Sequence, residues 1–135
     1  SFADVAPATL RVYPLEDHIA EKLHAYTVPR PRPNSRIKDL PDLALLARVR
    51  EIEAGALRAA VVQTFAHRAT HDVPSELAAP AEGWRRPYAR LATRDALPWS
   101  DLDVVTAAAR GLLDPVLAGA AGVWRPGAWR WEKGE

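Results

Sequence analysis

The sequence predicts a mainly α fold, a helical bundle with one short strand at its N-terminal end. Apolar residues recur at spacings of three and four along several stretches, which is typical of helices that bury one face. The 26 alanines among the 135 residues also favour helices. No internal repeat is visible, and a chain of this length is large enough for one core. We therefore expect residues 1–135 to form a single helical domain.

A strand and then a helix are predicted at the start of the chain. Residues 8–13, ATLRVY, alternate in polarity and contain β-branched residues, as a short strand does. From Pro14 the period becomes helical for about three turns, with apolar positions at Leu15, Ile19, Leu23 and Tyr26. The following VPRPRPN holds three prolines, which remove amide donors, so this segment is predicted to be an extended loop.

More helices are predicted in the rest of the chain. They are expected from residues 39–41 to about 50, from 54 to 68, over RRPYARLA after Trp84, and over PWSDLDVVTAAARGLL. Residues 72–83 have the composition of a loop. The tail GVWRPGAWRWEKGE is predicted to be a loop or a short strand.

The last long helix carries a signal at each end. Ser100 is its predicted N-cap, and Asp103 is the third helical residue of a capping box. This interpretation is favoured over a D-x-D metal pair of Asp101 and Asp103, because on a helix two such side chains diverge by about 200°. Pro115 is predicted to end the helix, with Asp114 capping a further short turn.

Composition excludes several classes of protein. A net charge of +1 gives no overall attraction to nucleic acid or acidic lipid. Of the 18 basic residues 15 are arginines, whose planar guanidinium suits phosphate and carboxylate. The absence of cysteine excludes disulfides and thiolate metal sites. No apolar run approaches the roughly 18 residues of a membrane span, and no secretion signal is recognisable, so we expect a cytoplasmic protein.

Methionine is absent from the chain, even at position 1. Because a translated reading frame normally begins with methionine, we expect these 135 residues to be a piece of a longer protein. Any functional site found here is therefore expected to need residues from outside the chain.

Lys22 is the first candidate for a chemical role. On the predicted helix it lies in the same narrow sector as Leu15, Ile19 and Tyr26, in the middle of the apolar face. A buried ammonium is costly unless it is paired or reaches a water-filled pocket. A structural ion pair and a functional lysine are equally supported by this position.

Asp39 and Asp42 are the second candidate, with Arg36 and Lys38 just before them. Acidic residues at the start of a helix cap it and complement its dipole, and from the residues alone this interpretation is favoured. The alternatives are that the two carboxylates hold a divalent cation, take a proton or anchor Lys22.

The loop before these acids carries positive charge without any acid. Arg30, Arg32, Arg36 and Lys38 follow one another between prolines that keep the backbone extended. A phosphate-contacting arm and a solvated linker are equally supported.

Two further clusters are predicted to be structural. His67 and His71 are one helical turn apart, but without the glutamate of an H-E-x-x-H site they are interpreted as cations near a helix C-terminus rather than zinc ligands. The tail interleaves tryptophan with arginine, which favours packing over a helical core above base stacking. The residues are Trp124, Arg125, Trp129, Arg130 and Trp131.

The segment from Tyr13 to Leu46 resembles the downstream motif of the AbiEii-type nucleotidyltransferases. These are toxin components of type IV toxin-antitoxin and abortive-infection systems and share the DNA polymerase β-like nucleotidyltransferase superfamily. The motif is approximately an A-E-K-L-x-A helix, a variable loop, and R-x-K/R-D-x-x-D-L. The matching residues are Ala20, Glu21, Lys22, Leu23, Ala25, Arg36, Lys38, Asp39, Asp42 and Leu43.

The resemblance implies transfer of a nucleotidyl group from a nucleoside triphosphate to an acceptor with the help of Mg²⁺, in some relatives to the acceptor end of tRNA. Lys22 would stand at the triphosphate, and Asp39 would be the motif's catalytic acid. The expected supporting residues are Glu21, Arg36, Lys38 and Asp42, and the expected phosphate or RNA contacts are Arg30 and Arg32. An antitoxin protein is an expected partner.

The chain also departs from the family pattern. The family's upstream Gly-Ser or Gly-Thr turn and acidic pair, which supply the principal metal ligands, are not found in these 135 residues. We therefore expect an N-terminal sheet domain to be missing, no metal ligand in this C-terminal part, and no activity from it alone. A non-catalytic helical module that binds an antitoxin or RNA is the alternative.

Pro41 is a second departure from the motif. A proline disfavours helical angles in the residue before it, here Leu40. Asp39 is therefore predicted to lie in the turn before the helix rather than in the helix.

Overall fold

The computed structural model describes residues 13–29 and 36–134, and its architecture confirms the mainly α prediction. Five helices and three very short strands make up the regular structure of these residues. The helices are α1 (Leu15–Thr27), α2 (Asp39–Leu46), α3 (Ala54–Arg68), α4 (Arg85–Arg94) and α5 (Leu102–Leu117). The strands are β1 (Ile52–Glu53), β2 (Val123–Arg125) and β3 (Arg130–Glu132). Short 3-10 turns, Arg36–Lys38 and Glu82–Trp84, lead into α2 and α4.

The helices pack around one contiguous apolar core. α1 packs most extensively against α3, and α2 lies between α1 and α5. The faces turned inward include Ile19 and Leu23, which the helical periodicity marks, and the core also contains Leu57, Leu112 and Val116. Since apolar burial stabilises by about 25 cal/mol per Å², this core fixes the relative positions of α1, α2 and α3.

Helix α3 begins and ends where the sequence predicts. Glu53 is its N-cap, and the carboxylate accepts hydrogen bonds from the amides of Gly55 and Ala56 at 2.9 and 3.0 Å. At the other end Ala69 adopts the left-handed conformation with φ 52°, and its amide donates to the Phe65 carbonyl. Both ends are therefore set by local hydrogen bonds.

The two ends of helix α5 differ from those predicted. Its N-cap is Asp101 rather than Ser100, because the Asp101 carboxylate accepts the Val104 amide at 2.9 Å. Asp103 pairs with Arg85 on the surface, so Asp101 and Asp103 serve different contacts.

Pro115 does not end α5, which continues to Leu117. The last turn buries Val116 and Leu117, and Arg58 from α3 donates to both of their carbonyls at 2.8 and 3.1 Å. Tertiary packing and these donors outweigh the lost amide of the proline.

Helix α2 begins in the predicted range of residues 39–41 but ends earlier than predicted. It ends at Leu46 rather than near residue 50, because the carbonyl of the next residue, Ala47, accepts the indole N–H of Trp124 at 2.8 Å. Asp39 is its first residue, and both Leu40 and Pro41 lie within it. The preceding 3-10 turn has already brought the chain into helical geometry, so the prediction that Asp39 precedes the helix is wrong.

The C-terminal tail forms a hairpin on the helices. β2 pairs antiparallel with β3 and with β1, so that Ile52 lies opposite Trp124. The hairpin's tryptophans pack on the core, as predicted. Their indole N–H groups donate to backbone carbonyls in α5 and at the C-terminal end of α2, at 2.8 to 3.0 Å. The pairs are Trp124 with Ala47, Trp129 with Ala108, and Trp131 with Leu112. Arg125 and Arg130 pair with glutamates, the former with Glu51 and Glu132.

The remaining predictions concern connecting segments. Residues 72–81 contain no helix or strand, in agreement with the predicted loop, and Leu77 pins this segment by donating its amide to Asp114. The predicted strand at residues 8–13 lies outside the described residues except for Tyr13, which is not in a strand. In the part of the chain that the structure describes, no helix has the length and apolarity needed to cross a membrane.

Candidate functional site

Lys22 meets the start of α2 at the edge of the core. Helix α1 buries Ile19 and Leu23 on either side of it, while the lysine side chain itself is 28% exposed. Its ammonium lies 2.8 Å from Asp42 Oδ2 and 3.5 Å from Asp39 Oδ1. The lysine therefore extends from the apolar face to two carboxylates, as either of its predicted roles requires.

Asp39 joins two cations. It is 4% exposed, and its Oδ2 accepts a hydrogen bond from Arg36 Nε at 2.6 Å while Oδ1 faces Lys22. Because α2 begins at Asp39, residues three apart in its first turn place Asp39 and Asp42 on the side that faces α1. The carboxylates thus contact Lys22 and Arg36, and the favoured interpretation as helix caps does not describe their hydrogen bonds.

Lys22 is held in its charged form. The hydrogen bond to Asp42 raises the pKa of the Lys22 ammonium, and the charges of Asp42 and Asp39 act in the same direction, against an opposing contribution from burial. At neutral pH the ammonium is therefore a fixed positive charge, within a cluster whose two cations are balanced by two carboxylates.

A surface pocket of about 520 Å³ opens beside this cluster. Its polar lining is mostly basic and comes from both motif and non-motif residues: His18, Glu21, Lys22, His24, Arg36 and Arg68. Asp39 and Asp42 are not in the lining, so they support Lys22 and Arg36 from behind. Three permanent cations on one pocket are suited to a polyanion such as a phosphate chain.

Arg68 is the site residue that the sequence does not reveal. It is the last residue of α3, and its guanidinium donates from Nε and Nη2 to both carboxylate oxygens of Glu21 at 3.0 to 3.2 Å. The two residues are 47 positions apart, and no local motif links them. Glu21, predicted as a support, therefore orients Arg68.

Of the other predicted residues, one lies away from this pocket and two lie outside the described part of the chain. Lys38 is exposed, and its charge acts on Asp95, where it adds to a lowering of the carboxyl pKa that is due mainly to Arg94. Arg30 and Arg32 lie outside the described residues. Lys38 is thus the one described motif residue of the predicted set that does not face Lys22 or Arg68.

His67 and His71 do not share a helix face, because α3 ends at Arg68. His67 is exposed, whereas the His71 ring lies 4.8 Å from the ring of His24 on α1. His67 lies in the last turn of α3, as predicted, whereas His71 follows the helix and contacts a histidine from another helix.

The described residues do not form a metal site by themselves. Within residues 13–29 and 36–134 no three histidine, aspartate or glutamate side chains are grouped so that they would hold a metal ion. The Glu21 carboxylate in the pocket lining is bonded to Arg68, and the Asp39 and Asp42 carboxylates behind the lining are bonded to Arg36 and Lys22. Their oxygens are thus matched to cationic side chains rather than to a divalent ion.

Comparison with known proteins agrees with the motif in this cluster. The family model described as nucleotidyl transferase AbiEii toxin, type IV TA system, matches residues 1–109. No curated protein and no solved structure matches the chain. The matched range includes α1 to α4, all the basic residues of the pocket and the Lys22, Asp39 and Asp42 cluster. The chain therefore belongs to the AbiEii nucleotidyl transferase toxin family of type IV toxin-antitoxin systems.

Proposed function

We propose that this chain is the C-terminal, triphosphate-binding part of a nucleotidyltransferase toxin. The observation that carries the proposal is the convergence of Lys22, Arg36 and Arg68 on one pocket, with Lys22 and Arg36 held by Asp39. Phosphoryl chemistry depends mainly on positioning and on stabilising negative charge, which fixed cations supply. The substrate class is a nucleoside triphosphate.

In the proposed reaction an acceptor hydroxyl oxygen bonds to the α-phosphorus of the nucleotide. The bond from that phosphorus to the oxygen bridging to the β-phosphorus breaks, pyrophosphate leaves, and the hydroxyl proton passes to a base. Lys22 would offset the charge that develops on the departing phosphates. Asp39, 4% exposed and bonded to Arg36, would hold both cations in place.

The proposal needs a second part of the protein. The Asp39 and Asp42 carboxylates are matched to cations, so ligands for Mg²⁺ would come from an N-terminal domain with a Gly-Ser turn and an acidic pair. The 135 residues alone would then bind phosphate without transferring a nucleotide. We further propose tRNA as acceptor, with Arg30 and Arg32 as its contacts, an antitoxin protein as partner, and the cytoplasm, where these substrates occur, as location.

Binding of inorganic tripolyphosphate to the 135-residue chain tests the proposal. Isothermal titration calorimetry at low salt should show binding that Lys22→Ala weakens by about 10- to 100-fold, the value of one charge-assisted contact. Lys133→Ala is the matched control, because this lysine is exposed and absent from the pocket lining.

Equal affinity of wild type and Lys22→Ala, with both folded by circular dichroism, would contradict a phosphate role for the pocket. The competing candidate, a non-catalytic module for an antitoxin or RNA, would then be preferred. Titration with labelled RNA at two salt concentrations would test that candidate directly.

A further inference from the structure

Four side chains form a continuous hydrogen-bonded chain between α1 and the segment after α3. His24 Nε2 lies 2.8 Å from Thr70 Oγ1, which lies 2.8 Å from His71 Nδ1. His71 Nε2 lies 2.8 Å from Thr27 Oγ1. This row of hydrogen bonds therefore starts and ends on α1. It passes through Thr70 and His71, which are separated from the end of α3 by Ala69.

The bonds can run in one consistent direction along the four side chains. With the Thr27 hydroxyl donating to the Leu23 carbonyl at 2.9 Å, its oxygen accepts from the His71 tautomer that carries its proton on Nε2. That tautomer accepts at Nδ1 from the Thr70 hydroxyl, whose oxygen accepts from His24 Nε2. The opposite direction uses the other tautomers and keeps the same contacts. In both directions Thr70 and His71 link the segment after α3 to α1.

The row of hydrogen bonds lies directly beside the pocket proposed to bind phosphate, which is called the phosphate pocket below. Thr70 is two residues beyond Arg68, and between them Ala69 turns the backbone in the left-handed conformation. His24 also lines the pocket with Arg68 and Glu21. The hydrogen bonds of Thr70 and His71 to α1 thus fix where α3 ends against α1. They also fix the position from which the Arg68 side chain extends.

We infer that Thr70 and His71 are positioning residues for the phosphate pocket, because their bonds to His24 and Thr27 hold Arg68 beside Glu21 and Lys22. The inference rests on the proposed phosphate-binding function of that pocket. Neither residue touches the bound phosphate; each acts through Arg68.

Apolar packing surrounds the two imidazoles. The Phe65 ring packs against both imidazoles at 5.1 and 5.0 Å. Burial, followed by the charges of His71 and Arg68, lowers the pKa of His24.

The test uses calorimetric binding of inorganic tripolyphosphate to the 135-residue chain at about pH 8. Thr70→Val, which keeps the shape and removes both hydrogen bonds, should bind about tenfold more weakly at about pH 8. Thr70→Ser should restore wild-type affinity. Thr93→Val is the matched control, since the Thr93 hydroxyl bonds only within α4.

Rescue by the conservative variant separates positioning from simple folding. Serine keeps the hydroxyl and both of its hydrogen bonds, so a loss of affinity that Thr70→Val shows and Thr70→Ser does not show is due to those bonds. Wild-type affinity for a folded Thr70→Val, or equally weak binding by a folded Thr70→Ser, would overturn the inference.

Failure of the underlying function has a different signature. If wild type binds no tripolyphosphate, or Lys22→Ala binds as wild type does, the proposed function fails and this inference fails with it. If binding depends on Lys22 and Arg68 but not on Thr70, only this inference fails.

Discussion

Arg36 Nε lies 2.6 Å from Asp39 Oδ2, at the point where a 3-10 turn becomes α2. The carboxylate is buried, while the arginine and Lys22 on its other side are partly exposed. Charge-assisted bonds of this kind are worth about twice a neutral hydrogen bond. Asp39 is therefore expected to matter for stability as well as for the pocket.

The first prediction is that Asp39→Asn lowers the free energy of unfolding by about 1 to 3 kcal/mol, because it leaves two cations with one fewer partner. Urea denaturation at neutral pH measures this change. Asp103→Asn is the control, since Asp103 forms only an exposed pair with Arg85 and should change stability by less than about 0.5 kcal/mol. Losses of equal size would show that the Asp39 pairs are no stronger than a surface pair.

A second prediction concerns tyrosine ionisation. Burial raises the pKa values of Tyr26 and Tyr88 to about 12, and the Tyr88 hydroxyl also donates to the Trp99 carbonyl at 2.8 Å. Because unfolded tyrosine ionises near 10, their contribution to stability is complete below about pH 10 and is lost as pH rises toward 12. Absorbance at the tyrosinate band should show both tyrosines titrating late.

Unfolding the protein in guanidinium chloride provides the reference for this titration. All tyrosines should then ionise near 10. In the folded protein, Tyr26→Phe and Tyr88→Phe should each remove one late-titrating group. Ordinary titration of Tyr88 in the folded protein would conflict with its buried position.

The third prediction uses the left-handed end of α3. Ala69 has φ 52°, which costs a residue with a Cβ about 1 kcal/mol relative to glycine. Ala69→Gly should therefore raise the free energy of unfolding by about 0.5 to 1 kcal/mol. Ala59→Gly, at an exposed position inside the same helix, should lower it by about 1 kcal/mol.

Opposite signs for the same chemical change are the diagnostic result, and thermal or urea unfolding measures both. A destabilising Ala69→Gly would mean that α3 does not end at Arg68. It would also remove the basis for placing Arg68 and Thr70 on either side of a fixed turn.

The fourth prediction addresses the hairpin. Trp124→Phe removes the indole N–H that donates to the Ala47 carbonyl. The smaller ring also leaves part of a fully buried site empty. The free energy of unfolding should fall by about 2 kcal/mol or more. Tyr13→Phe is the control, because its hydroxyl is exposed and makes only a 3.4 Å bond to Glu21. Similar effects for the two variants would contradict the burial of Trp124.

The parts of the fold that follow from local signals could be predicted from the sequence. Helix α3 runs from Ala54 to Arg68 as expected, because apolar period and end residues agree. The continuation of α5 through Pro115 could not be predicted, since it depends on Arg58 reaching its last carbonyls from another helix. The pairing of Ile52 with Trp124 is likewise a contact between distant segments.

The candidate site divides in the same way. Lys22, Asp39 and Asp42 lie in one short motif, and the structure brings their charged atoms together. Arg68 reaches the pocket only because α3 packs along α1 and Glu21 receives its guanidinium. The contact of His24 with His71 depends on the same packing of α3 along α1, so helical spacing in the sequence could not predict it.

The C-terminal hairpin has a consequence for how the protein should be divided. The family match stops at residue 109, in the middle of α5. The core, in contrast, continues to Trp124, which is the strand partner of Ile52. A protein cut at that limit would lose half a helix and would expose the Ala47 and Ala108 carbonyls, which now accept hydrogen bonds from tryptophan indoles. The unit that folds is thus longer than the unit that sequence comparison recognises, and experiments on the pocket should retain the chain through Glu132.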